Sequence, residues 1–174
     1  NVVSIGGFDA DMSSTLDDLL LVSPITDSQS QAVVSPLTTV ASFMEDPTEL
    51  NAVLGIDPSI DLLTTDPVAK KGTSPEYDLL YEKGNQLTVL AYSLQSTAGD
   101  SASASADAFS SITKVLEESY EETQESPNIE SKDFISDVID QVDETTQSQI
   151  PAERKANMAT ALASVLPLIQ VREG

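Results

Sequence analysis

Apolar residues in the second half of this chain recur at steps of three, four and seven, and that period commits most of it to amphipathic helices. Tyr77, Leu80, Tyr81, Leu87, Ala91 and Leu94 make the first stripe, with Gly84 on the same face, where a neighbouring helix could approach closely. Ala108, Phe109, Ile112, Val115, Leu116 and Tyr120 make the second, and Phe134, Ile135, Val138, Ile139 and Val142 the third. Met158, Leu162, Val165 and Ile169 make the fourth, in an Ala-rich setting. Short turns at Gly99-Asp100, Ser126-Pro127 and Ile150-Pro151 would let the four helices bury these stripes against one another. The expected fold is therefore mainly α: a bundle of about four long helices plus short ones. Its core should contain Phe109, Ile112, Leu116, Ile135, Val138, Leu162 and Leu166.

Proline placement supplies the boundaries. Seven prolines follow Ser or Asp, at Ser23-Pro24, Ser35-Pro36, Asp46-Pro47, Asp57-Pro58, Asp66-Pro67, Ser74-Pro75 and Ser126-Pro127. A Ser or Asp cap satisfies orphan N–H groups and the following Pro pre-sets φ, so several of these pairs read as helix starts. Glu49 stands where a capping box with Asp46 would want it, and Gly55 stands where the same helix should end. Helices are expected over 36–44, 47–54, 75–97, 101–124, 131–147 and 151–166.

The first third reads differently. Leu19-Leu20-Leu21-Val22 and Ala32-Val33-Val34 are short apolar runs that fit either two strands or extended segments, and little sheet is expected. Residues 1–34 are read as an extended segment packed on a bundle formed by 35–174, the whole making a single domain.

Charge decides which chemistry remains open. Eight Lys and Arg against 29 Asp and Glu leave a formal charge of −21, and no Lys or Arg occurs between Asn1 and Ala69. So acidic a surface repels phosphate backbones and anionic headgroups, so neither nucleic acid nor a membrane surface is an expected partner. No apolar run approaches the roughly 18 residues that would span a bilayer. Asn1 is no initiator, so the chain reads as a piece of a longer one. Absence of Cys and His removes thiol nucleophiles, Ser-His-Asp triads and ordinary zinc sites, leaving carboxylate chemistry and hard cations held by oxygen. Asp17-Asp18, Glu117-Glu118 and Glu121-Glu122 are adjacent acids, but neighbours on a helix do not face one another as a two-carboxylate hydrolase requires. The acidic block from Glu117 to Glu144 reads as a solvated helix face.

One set of motifs carries a resemblance. Val34-Ser35-Pro36-Leu37-Thr38-Thr39-Val40, then Leu54-Gly55-Ile56, then Asp61-Leu62-Leu63-Thr64-Thr65-Asp66-Pro67-Val68 resembles a pattern of very large secreted or surface-attached bacterial proteins. The opening Gly6-Gly7-Phe8-Asp9 is similar to a Gly-Gly-x-Asp step that follows a β-domain there. The resemblance implies a helical module of an adhesin-like multidomain protein, extracellular or on the cell surface. Neighbouring cadherin-like, immunoglobulin-like or calcium-binding repeats would be its partners. The motifs are structural ones: Ser35-Pro36 starts a helix, Thr38 and Thr39 can bond back to it, and Asp66-Pro67 starts the next.

The leading reading is a non-catalytic module that spaces or presents neighbouring domains, with no catalytic residues and no cofactor. The first alternative is a calcium-binding module and the second a two-carboxylate hydrolase, which would need a deep cleft that converges two acids. Asp9, Asp11, Ser13, Thr15 and Asp17 place oxygen side chains at alternate positions, with Asp9, Asp11 and Asp17 as the candidate metal ligands. The loop departs from an EF-hand, which would want Gly and Glu where Ser14 and Leu20 stand.

Overall fold

Side-chain caps from Ser35, Asp46, Asp66 and Ser131 set where several helices of the chain begin. The computed structural model describes residues 1–6, 8, 9, 14–25, 32–99 and 102–171, with 8, 9 and 14 described at the backbone. The elements are β1 (Val2–Ile5), β2 (Phe8–Asp9), β3 (Ser14–Thr15), β4 (Leu20–Ser23), α1 (Pro36–Phe43), a 3-10 turn (Pro47–Glu49), α2 (Leu50–Leu54), α3 (Pro67–Lys70), α4 (Pro75–Ala98), α5 (Ala102–Thr123), α6 (Lys132–Thr146), α7 (Ala152–Val165) and a 3-10 turn (Leu166–Leu168). The fold is mainly α, and the helix limits fall within two residues of those expected wherever the residues are described.

Four of the seven Ser/Asp-Pro pairs open helices. Ser35 accepts from the Thr38 N–H while Thr38 Oγ1 accepts from the Ser35 N–H at 2.9 Å, a complete capping box. Asp66 takes the N–H groups of Val68 and Ala69, and Ser74 precedes Pro75 at the start of α4. Asp46 takes the backbone N–H and hydroxyl of Thr48 in place of the Glu49 N–H that a capping box would use, and the expected helix over 47–54 becomes a 3-10 turn followed by α2. Gly55 ends α2 at φ 66°, and a Cβ there would meet Ser126 Oγ at 2.9 Å.

The four long helices follow one another in space as in sequence: α4 packs on α5, α5 on α6 and α6 on α7, with α4 also touching α6. All seven expected core residues are buried. Gly84 faces Leu37 at the start of α1, but that side chain would lie 4.0 Å from a Cβ at this position, an ordinary contact distance and not a close approach that requires glycine. The fourth stripe needs one correction: Val165 is 45% exposed and Leu166 is buried instead, because Ala159, Leu162 and Leu166, spaced three and four residues apart, line one helix face and leave Val165 beside it.

The N-terminal region is a β-hairpin. β1 pairs antiparallel with β4 in the register Val2↔Ser23, Val3↔Val22, Ser4↔Leu21 and Ile5↔Leu20, and β2 pairs with β3 as Phe8↔Thr15 and Asp9↔Ser14. Between the two ladders Leu16–Leu19 forms a turn closed by the Leu19 N–H on the Leu16 carbonyl, with Asp18 at φ 60°. Of the two apolar runs, 19–22 puts its last three residues into β4 and 32–34 forms no strand; the Val33 N–H donates instead to the Leu63 carbonyl at 3.2 Å.

Candidate functional site

β4 is held to the helices by hydroxyl groups. The Leu20 N–H donates to Ser105 Oγ on α5 at 2.8 Å, and the Val22 N–H to Thr39 Oγ1 on α1 at 2.9 Å. The Val22 carbonyl accepts from Thr38 Oγ1 and Thr39 Oγ1 at 3.0 and 3.3 Å. Side chains of two helices thus occupy the edge of β4 where another strand would lie. Thr38 and Thr39 do bond back to the Ser35 carbonyl, as their sequence position implies, and do this second job as well. Nothing in the local sequence marks Ser105 for it.

A cleft of about 650 Å³ opens between the hairpin, residues 32–36, α3 and α4. Leu16, Leu19, Leu21, Val33 and Val34 make its apolar walls. Its polar groups are largely engaged by backbone: Ser35 and Asp66 cap helices, and Thr88 Oγ1 donates to the Gly84 carbonyl at 2.9 Å. The cleft can receive an apolar group; among the described residues it presents no paired acid and base.

Of the three expected metal ligands, two lie among the described residues. Asp9 is the last residue of β2, Asp11 lies outside the described residues, and Asp17 is exposed in the 16–19 turn. Asp17 and Asp18 border a second cavity of about 270 Å³ with Tyr92, Gln95 and Ser96, and Gln95 Nε2 donates to the Asp17 carbonyl at 3.4 Å. No group of three acids gathers as a metal site among the described residues.

The adjacent acids of α5 turn to different partners. Glu117 Oε1 accepts from the Glu45 N–H at 2.9 Å, whereas Glu118 lies 3.8 Å from Lys114. Burial pushes the Glu117 carboxyl up, against the pull of that N–H. Asp137 on α6 is also raised, first by burial and then by the charges of Asp140, Asp133 and Glu122, so α5 and α6 share a strip of mutually repelling acids. Opposite in kind is Lys155, which reaches Asp140 at 2.8 Å and Asp143 at 2.6 Å.

Two buried glutamines of α4, which the stripe pattern did not single out, tie distant segments together. Besides the Gln95 contact, Gln86 Nε2 donates to Glu130 Oε1 at 2.6 Å and to the Leu166 carbonyl at 3.3 Å. Nearby, burial lowers the Lys83 ammonium against the opposing pull of Glu130 and Glu82. No helix among the described residues is long and apolar enough to cross a membrane. Comparison with protein-family models, with curated proteins and with solved structures gives no match to this chain.

Proposed function

We propose that this chain is a non-catalytic spacing module of a secreted or cell-surface bacterial adhesion protein, its four long helices acting as one bundle between neighbouring domains. The observation that carries this reading is that segments near both ends are tied to α4 at different heights. Gln95 holds the hairpin turn at Asp17, and Glu82 Oε1 accepts from the Val171 N–H at 2.8 Å. The Glu82 to Gln95 interval is about 20 Å of helix at 1.5 Å per residue. Load entering by the hairpin and leaving by the tail would run along one continuous helix. The dense negative surface supports an exterior setting, where it keeps a protein dispersed.

Because the chain has no Cys, two spin labels can be placed without background. Ser4→Cys and Leu168→Cys, both at exposed positions, should give one narrow distance distribution by electron–electron double resonance. A broad or two-peaked distribution would refute the rigid spacer.

A further inference from the structure

The two edges of the hairpin differ. In an antiparallel ladder, residues alternate between those whose N–H and C=O face the partner strand and those whose groups face away. On β4 the Leu20 and Val22 N–H groups face away, into the Ser105 and Thr39 hydroxyls, so Leu21 and Ser23 face β1. Their partners Ser4 and Val2 then face β4, and the Gly6 N–H on the Leu19 carbonyl at 2.9 Å continues the same alternation. Val3 and Ile5 are therefore the residues whose N–H and C=O point outward from β1. Both side chains are also exposed, at 55% and 59%, and Val2 is exposed at 38%. One edge of the sheet is closed by helix hydroxyls, while the other offers two donors, two acceptors and a row of apolar side chains to solvent.

The geometry points to β1 as a strand-addition site for an extended segment that carries alternating apolar residues and a basic end. Charge selects that occupant. Asp17 and Asp18 sit exposed in the turn beside the Ile5 end of β1, and no Lys or Arg occurs before Lys70. A second copy could pair its own β1 with this edge, but it would bring −21 against −21. A segment with Lys or Arg next to its apolar residues meets the same backbone groups with attraction in place of repulsion. This inference stands whether or not the helices serve as a spacer.

The test uses the peptide acetyl-Lys-Val-Thr-Val-Thr-Val-Lys-amide, its counterpart with Glu for both Lys, and isotopically labelled protein. The basic peptide should shift the Val3 and Ile5 amide signals and slow their hydrogen exchange, leaving the helices unmoved, and it should bind at least about tenfold more tightly than the acidic one at low salt. Val3→Pro removes an outward donor that the β1–β4 ladder does not use, so the protein should keep its unfolding midpoint and lose at least about tenfold in affinity. Ile5→Lys, which keeps every backbone group, should weaken the basic peptide by a similar factor. The proposal is overturned by any of four results: no Val3 or Ile5 response at about 1 mM peptide, binding by both variants as tight as by the unaltered protein, shifts confined to the cleft, or protection of Val3 and Ile5 by dimerisation without peptide.

Discussion

Phe109 and Val3 stand for two differently built regions of this chain: one has no exposed surface, and the other keeps 55% of its own. The helices from α4 to α7 are held by burial, since every expected core side chain on them or just beyond them is out of solvent. The hairpin is held by direction as well as burial. Its apolar β1 stays outside, Leu19 and Val22 are buried, and β4 exchanges a short set of hydrogen bonds with Ser105, Thr38 and Thr39. Burial tolerates small displacements because it scales with area, whereas a hydroxyl matched to one backbone N–H does not. Perturbations of the two regions should therefore separate cleanly.

The largest expected effect is in the helices. Phe109→Ala should cost about 3–5 kcal/mol in urea unfolding, against less than about 0.5 kcal/mol for Val3→Ala. Equal costs would remove the distinction. Next comes the docking seam. Thr39→Val combined with Ser105→Ala leaves the Val22 and Leu20 N–H groups without acceptors, at about 1–3 kcal/mol for each buried group. Hydrogen exchange should accelerate at Leu20 and Val22 and stay slow in α5 and α6. Acceleration throughout would mean that the two regions open as one unit.

Charge gives a smaller effect, confined to the helices. Asp137 has a folded pKa above its ordinary 3.8, so its ionised form opposes folding. Stability should rise as pH falls from neutral through the raised value and level off below the ordinary one. Asp137→Asn should accordingly stabilise at pH 7 by less than about 1 kcal/mol after solvent screening, with no gain in acid. Raising ionic strength from about 0.01 to 0.15 M should act in the same direction, with sodium and calcium alike at equal ionic strength. A calcium-specific gain would point to bound ions. The smallest expected effect is that of Lys155→Met. Lys155 is raised above 10.5 by Asp140 and Asp143, so its contribution is complete below that value and is lost as pH rises through the raised one. The variant should flatten the alkaline end of the stability profile and move the neutral midpoint less than the hydroxyl variants do.

Helix positions were legible because their signals are local. Ser35 with Thr38, Asp66 with Pro67, and Gly55 each act within four residues of where they stand. The strand β1 was not legible: Val2-Val3-Ser4-Ile5 has no polar alternation, and its partner begins only at Leu20, beyond a second ladder and a turn. The acid pairs could be read as poor catalytic candidates from helix geometry alone, but the partners that draw Glu117 and Glu118 apart come from Glu45 in a distant segment and Lys114 one turn away.

By itself the sequence determined a mainly helical chain, its helix ends, its core stripes and its negative surface, since caps act within a turn, stripes repeat each turn and charge simply adds. Only the tertiary structure decided which edge of the hairpin is closed and which is open. That depends on Ser105 and Leu20, which are 85 residues apart, meeting at 2.8 Å. A serine inside a helix carries no mark of the strand it will meet until the chain has brought the two together.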